Sequence, residues 1–169
     1  LADLGFKRSV FEVQLSPLGE PQKHGFEEVD FLFAPNPGEP LKPLRLTASS
    51  GEMSRVLLAV KSALAKQDAV PLLVFDEIDA NVGGNIAEAV GRKMSDLGKT
   101  HQVIAITHFP QVASLAKSHF VVTKEIEGKR TRSTISEVAG DDRLDELARM
   151  LGGSAESARK HAESLLASK

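Results

Sequence analysis

The chain has 169 residues, enough for one domain with a buried core, and its formal charge of −2 gives no overall basic footprint, so any nucleic-acid contact must be local or lie outside it. Cysteine is absent, which excludes disulfides, thiolate metal ligands and a cysteine nucleophile and suits a reducing compartment. Tryptophan and tyrosine are also absent, removing the usual stacking platforms for single-stranded nucleic acid, and most of the eight phenylalanines fall in strand-like runs where the core is expected.

The chain begins with Leu1 rather than Met and is expected to be a piece of something longer. Apolar and polar residues alternate over 11–15 and, approximately, over 29–33. Pro17, Gly19, Pro21 and Gly25 lie between them, so the pattern predicts an antiparallel pair joined by a long loop. Positions 36–40, with Pro43 beyond, read as an extended linker. The first helix is expected over 54–66, with Val56, Leu57, Val60, Ala63 and Leu64 on one face. Pro71 opens the apolar run Leu72, Leu73, Val74, Phe75, which predicts a strand buried on both faces. Gly83 and Gly84 precede a helix over 85–97 that Gly98 ends, and 103–106 is a second buried strand. Two such strands joined by a helix predict a parallel, right-handed βαβ unit. A short helix from Pro110 to Ala116 follows, then a hairpin pairing 120–123 with 131–138, and helices near 141–151 and 154–167 split by Gly152 and Gly153. No internal repeat, long heptad array or signal peptide is visible, and no apolar run approaches the roughly 20 residues of a membrane span.

The apolar run ends abruptly in Asp76 and Glu77. Open α/β sheets bind ligands in the crevice beyond the carboxyl ends of their strands. An Asp there can hold Mg²⁺, and a neighbouring Glu can position and deprotonate a water; the plainer reading is an acidic helix cap. Just before the first helix stands Ser49-Ser50-Gly51-Glu52-Met53-Ser54-Arg55. Small residues at a helix start let backbone N–H groups approach an anion; the plainer reading is an N-cap.

In order and spacing these motifs resemble those of ATP-binding-cassette ATPases: Ser49 to Glu52 the signature, the 72–77 strand the Walker B element, Asp79 the D-loop, His108 the switch histidine. The segments 31–33, 36–40, 74–79, 107–112 and 148–153 further resemble the RecN family, bacterial double-strand-break repair ATPases related to the structural-maintenance-of-chromosomes proteins. The resemblance covers nearly the whole chain. It implies an α/β fold, the C-terminal lobe of a P-loop ABC-type ATPase head, with a mostly parallel sheet flanked by helices plus antiparallel hairpins. It implies one domain over 1–169: antiparallel strands and linker over 1–46, the motif-bearing part over 47–123, and a hairpin with terminal helices over 124–169.

The resemblance assigns Asp76 to Mg²⁺, Glu77 to the general base for attack on the ATP γ-phosphate, and His108 to sensing that phosphate. Asp79 is assigned to the dimer interface, and Ser49, Ser50, Gly51 and Glu52 to contact with ATP held by a second subunit. No Gly-x-x-x-x-Gly-Lys-Ser/Thr loop occurs in the sequence, so an N-terminal lobe of the same protein is expected to complete the site and the isolated chain to be inactive. The implied partners are that lobe, a second copy across ATP-sandwiched heads, and DNA, with a cytoplasmic, nucleoid-associated location and no membrane. Two departures stand out. Ser50 replaces the first signature glycine, and Ala80-Asn81 replaces the residues usual after the D-loop aspartate. Lys124, Lys129, Arg130 and Arg132 read as a solvated hairpin tip or as a contact to DNA phosphates; Arg143, Arg149, Arg159, Lys160 and His161 read as solvated helix faces. The competing readings are a transporter or SMC-type cassette fragment and a non-catalytic interaction module.

Overall fold

A computed structural model of the chain describes residues 1–47, 49–128, 130–153 and 155–168; Lys129 and Ser154, singled out above, lie outside the described residues. The centre of the fold is the expected parallel unit. Strand β4 (Leu72–Phe75) pairs in parallel with β5 (Gln102–Ala105), Leu72 opposite Gln102 and Phe75 opposite Ala105. Helix α3 (Gly84–Leu97) connects them and buries Ala87, Val90, Met94 and Leu97, the helical spacing of a single apolar face. A short helix, α4 (Pro110–Leu115), packs on α3 where Gly91 removes a side chain: a Cβ there would lie 2.9 Å from Leu115 Cδ1 and 3.2 Å from the Gln111 carbonyl.

Burial on both faces of the strands is not what the chain shows. Leu73 and Phe75 point into the core with Val56, Leu58, Ile78 and Val90. Val74 (56 % exposed) and Ile106 (58 %), with Leu72 and Ile104, lie open on the other side. Two strands with helices on one side cover only alternate residues. The helix expected over 54–66 is α2 (Ser50–Ala63), which starts four residues earlier because Ser49 caps it. Its apolar face also differs from the expectation: Val56 and Leu58 are buried, while Leu57 and Leu64 are exposed.

Strands β1 (Val10–Gln22) and β2 (Gly25–Ala34) pair antiparallel, and β3 (Lys42–Pro43) adds to β2. The long loop expected between β1 and β2 is therefore strand almost throughout. Pairing runs from Val10 opposite Ala34 to Pro17 opposite Glu27, slips, and resumes with Gln22 opposite Gly25. The prolines are tolerated because β1 is an edge strand, where a missing N–H interrupts no second ladder. Phe33 is buried edge-on against Phe6, with ring centroids 5.3 Å apart. Further out, Phe11 and Phe31 stack at 5.6 Å, but Val13, Leu15, Val29 and Phe31 stay exposed. Phe26, Phe31 and Phe120 thus depart from the core placement expected of phenylalanine. The linker ends in an unforeseen turn of helix, α1 (Leu44–Thr47).

After α4 the predicted hairpin forms from β6 (His119–Glu127) and β7 (Arg130–Val138), with Phe120 opposite Glu137. Helices α5 (Gly140–Met150) and α6 (Glu156–Ala167) then close a small second cluster of Ala113, Leu144, Leu147, Ala148 and Ala162. Arg143, expected on a solvated face, is instead a cap. Its guanidinium donates to the carbonyls of Ala113 (3.0 Å), Ser114 (3.0 Å) and Ala116 (2.8 Å), where α4 ends. No helix among the described residues is long and apolar enough to cross a membrane.

Candidate functional site at the carboxyl ends of the parallel strands

The residues singled out from the sequence converge on two turns that leave β4 and β5, faced by the start of α2. Ser49 fixes that start through a capping box. The Glu52 backbone N–H donates to Ser49 Oγ (3.4 Å), and Ser49 N–H and Oγ each donate to Glu52 Oε2 (2.9 Å). Ser50 Oγ donates to Glu77 Oε2 at 2.5 Å, joining the first residue of the helix to the acid beyond the strand tip. Gly51 is buried beneath the same turn; a Cβ on it would sit 2.9 Å from the Glu77 carbonyl oxygen and 3.1 Å from the Ala80 Cβ. This position needs glycine because two backbones meet there.

The turn after β4 is unusual in its backbone. Glu77 has φ +54° and Asn81 φ +59°, both left-handed without being glycine. The Ala80 N–H donates to the Glu77 carbonyl at 2.9 Å, closing the turn. Buried Arg55 braces it from below, donating to the carbonyls of Ile78 (3.2 Å) and Ala80 (3.3 Å). Its guanidinium lies 5.3 Å from the centre of the Phe6 ring, and burial pushes its pKa down against the opposing pull of Glu52. Ser54 donates to the Asp76 carbonyl at 3.0 Å. The side chains of Asp76 and Glu77 are both exposed at the end of the strand.

Asp79 points the other way. It is buried within the chain, accepts a hydrogen bond from Thr107 Oγ1, and has His108 Nδ1 3.5 Å from its Oδ1. Thr107 Oγ1 in turn accepts from the Phe109 N–H at 3.0 Å, which fixes the turn after β5. The His108 ring is largely exposed and rests on Phe109, centroids 4.6 Å apart. With Nδ1 toward Asp79, Nε2 is the nitrogen left to face a ligand. The site therefore divides into a Ser50–Glu77 pair, an Asp79–Thr107–His108 chain, and Asp76, whose carboxylate has no hydrogen-bond partner among the described residues. Sequence reasoning passed over Thr107, Arg55 and Ser54; the only signal for Thr107 was a hydroxyl directly before the histidine at a strand end.

A single exposed carboxylate suits Mg²⁺, which keeps several waters and is held through one or two carboxylates together with phosphate oxygens. A cage of protein ligands is not available: no group of three or more His, Cys, Asp or Glu able to hold a metal occurs among the described residues.

No family model matches the chain. It is 45 % identical over 168 residues to the DNA repair protein RecN of Deinococcus radiodurans, covering 99 % of this chain and 29 % of that protein. The chain therefore spans less than a third of the length of the curated relatives it matches. Among solved structures, the Smc head domain of Pyrococcus yayanosii, with its coiled coil and joint, matches with a TM-score of 0.60 at 19 % identity, over 88 % of this chain and 27 % of that one. A chain from work on ATP-driven dimerisation and DNA-stimulated activation of SMC ATPases matches with a TM-score of 0.52, also at 19 % identity, over 91 % of this chain and 88 % of that one. These structures share the fold; the family comes from sequence. The chain belongs to the RecN family of DNA repair proteins, as a C-terminal part with the fold of an SMC-type ATPase head.

Proposed function

We propose that this chain is one domain, the second lobe of an ATP-hydrolysing head in a DNA double-strand-break repair protein, and that it supplies the acid–base half of an active site. The observation that carries the reading is the Ser50–Glu77 bond at the start of α2, with the Asp79–Thr107–His108 chain joining the turns beyond the two strand tips. Glu77 is the general base: its carboxylate orients the attacking water and takes its proton as the water adds to the γ-phosphorus. Asp76 would hold Mg²⁺, which when bound with ATP would offset the charge that builds on the transferred phosphoryl group. Asp79 and Thr107 set the His108 ring, whose Nε2 faces the γ-phosphate. Ser49, Ser50 and Glu52 form the surface that closes on ATP held by a second copy, while Gly51 and Asp79, both buried, support it from within this chain.

A preceding lobe of the same protein provides the phosphate loop, which the sequence lacks. The open apolar side of β4 and β5, carrying Leu72, Val74, Ile104 and Ile106, suits such a lobe, and most of the relatives' length lies outside this chain. Lys124, Arg130 and Arg132 on the β6–β7 hairpin offer local positive charge for DNA phosphates despite the net charge of −2. A bacterial cytoplasmic, nucleoid-associated role follows from the same reading.

The test is ATP turnover by the chain alone and by the complete protein. Turnover is expected to be negligible alone, DNA-stimulated when complete, and to collapse for Glu77→Gln. Robust turnover by the isolated chain that depends on Glu77 would overturn the half-site reading.

A further inference from the structure

Ser50 stands where the signature motif has its first glycine, and the side chain that glycine would lack is engaged: its hydroxyl donates to Glu77 Oε2 at 2.5 Å. Three features around the contact restrict it. The Ser49–Glu52 capping box fixes the first turn of α2. Gly51 lets that turn rest on the Glu77 carbonyl without a Cβ between them. Glu77 is held at φ +54°, and its carbonyl accepts from Ala80, so the backbone that carries the carboxylate is fixed as well.

We propose that Ser50 is a positioning residue that latches Glu77 within one chain and releases it when α2 docks on nucleotide held by a second copy. The inference rests on the proposed role of Glu77 as base and of the α2 start as a nucleotide contact. A serine hydroxyl has one proton to donate, while a carboxylate and a phosphate oxygen only accept. Ser50 therefore cannot serve both at once. While its proton points at Glu77, that carboxylate already holds a donor and is the weaker acceptor for a water proton. Once the hydroxyl turns to a phosphate across the interface, Glu77 in the same chain is freed. The α2 start of one copy closes the partner's nucleotide, whereas the freed Glu77 serves its own. Docking at one site thus arms the base at the other.

The test uses the full-length protein, with turnover measured from dilute to concentrated and KM for ATP read separately from kcat. Ser50→Gly removes the hydroxyl but keeps the backbone approach. It is expected to raise turnover of dilute protein about fivefold, the factor carried by one hydrogen bond of about 1 kcal/mol, with a flatter dependence on concentration, while KM rises separately from the lost phosphate contact. Ser50→Thr, which restores a hydroxyl, is expected to return dilute turnover to its low level. In a Glu77→Gln background Ser50→Gly is expected to change nothing. The latch is overturned if Glu77→Gln collapses turnover while Ser50→Gly leaves the dilute rate unchanged or lower, or if Ser50→Gly acts on KM alone. If Glu77→Gln itself retains full turnover, the base assignment fails, and the latch with it.

Discussion

Gly51→Ala sets two known effects against each other at the heart of the candidate site. Helix propensity favours alanine over glycine by up to about 1 kcal/mol in a helix interior, with less expected in the first turn, where Gly51 lies. Packing opposes it. The new Cβ would lie 2.9 Å from the Glu77 carbonyl oxygen, 3.3 Å from that of Ala80 and 3.1 Å from the Ala80 Cβ. Two of these neighbours are backbone atoms in a turn braced by Arg55, so the strain is not relieved by rotating a side chain. Overpacking of this kind costs about 1–3 kcal/mol, and the expected net loss is about 1–2 kcal/mol. Hydrogen exchange reads it locally: amides of α2 should exchange about five- to thirtyfold faster where opening is local. Gly84→Ala is the control. It also falls in the first turn of a helix, but the nearest atom to its Cβ is Gln111 Nε2 at 3.5 Å, so protection there should hold or rise. Equal or greater protection in Gly51→Ala would refute the close-approach argument.

Arg143→Ala should lower thermal stability by about 1–3 kcal/mol, because it removes the one nitrogen that serves the carbonyls of Ala113, Ser114 and Ala116 together. Asp79→Ala should cost about 1–3 kcal/mol by leaving Thr107 without its acceptor, and should also loosen the His108 ring, visible as averaging of its imidazole NMR signals. His119 is buried with Nδ1 unpartnered among the described residues, and burial, with Arg143 adding to it and Glu146 opposing, holds its pKa below the ordinary histidine value. The unfolded chain therefore binds this proton more readily, so its contribution favours the fold above about pH 6.5 and turns against it as pH falls toward the depressed native value. Replacing His119 by Gln should flatten denaturation midpoints measured across that window; an unchanged slope would exclude His119 as its source.

The parallel unit was legible because its signals are local. Two apolar runs, a helix period between them and glycines at the boundaries define β4, α3 and β5 within a few residues. What covers a strand is not local. Leu72 and Val74 are as apolar as Leu73 and Phe75, yet only the latter pair is buried in the core of the described residues. In β1, Pro17 and Pro21 read as loop because the pattern does not reveal that the strand is an edge. At the site, the identities of Asp76, Glu77, Asp79 and His108 stood out from motif order. Their partners did not, since Ser50 and Glu77 are 27 positions apart and Asp79 and Thr107 28 apart. Burial of Asp79 inside the chain was equally invisible, because nothing in a turn aspartate announces a hydroxyl waiting on the next strand.

The left-handed backbone at Glu77 has a consequence for anyone seeking to stabilise this protein. Non-glycine residues accept that region at a cost of roughly 1–2 kcal/mol, and asparagine, as at position 81, accepts it most readily. Glycine at 77 would relax the turn but forfeit the carboxylate and its bond to Ser50. Stability screens that ignore turnover should therefore tolerate or enrich glycine at 77, while turnover screens of the full-length protein should purge it if Glu77 has its proposed role. On the role proposed for Glu77, position 77 is where conformational ease and chemistry select opposite residues, so a library at this one codon separates the demands of the turn from those of the reaction.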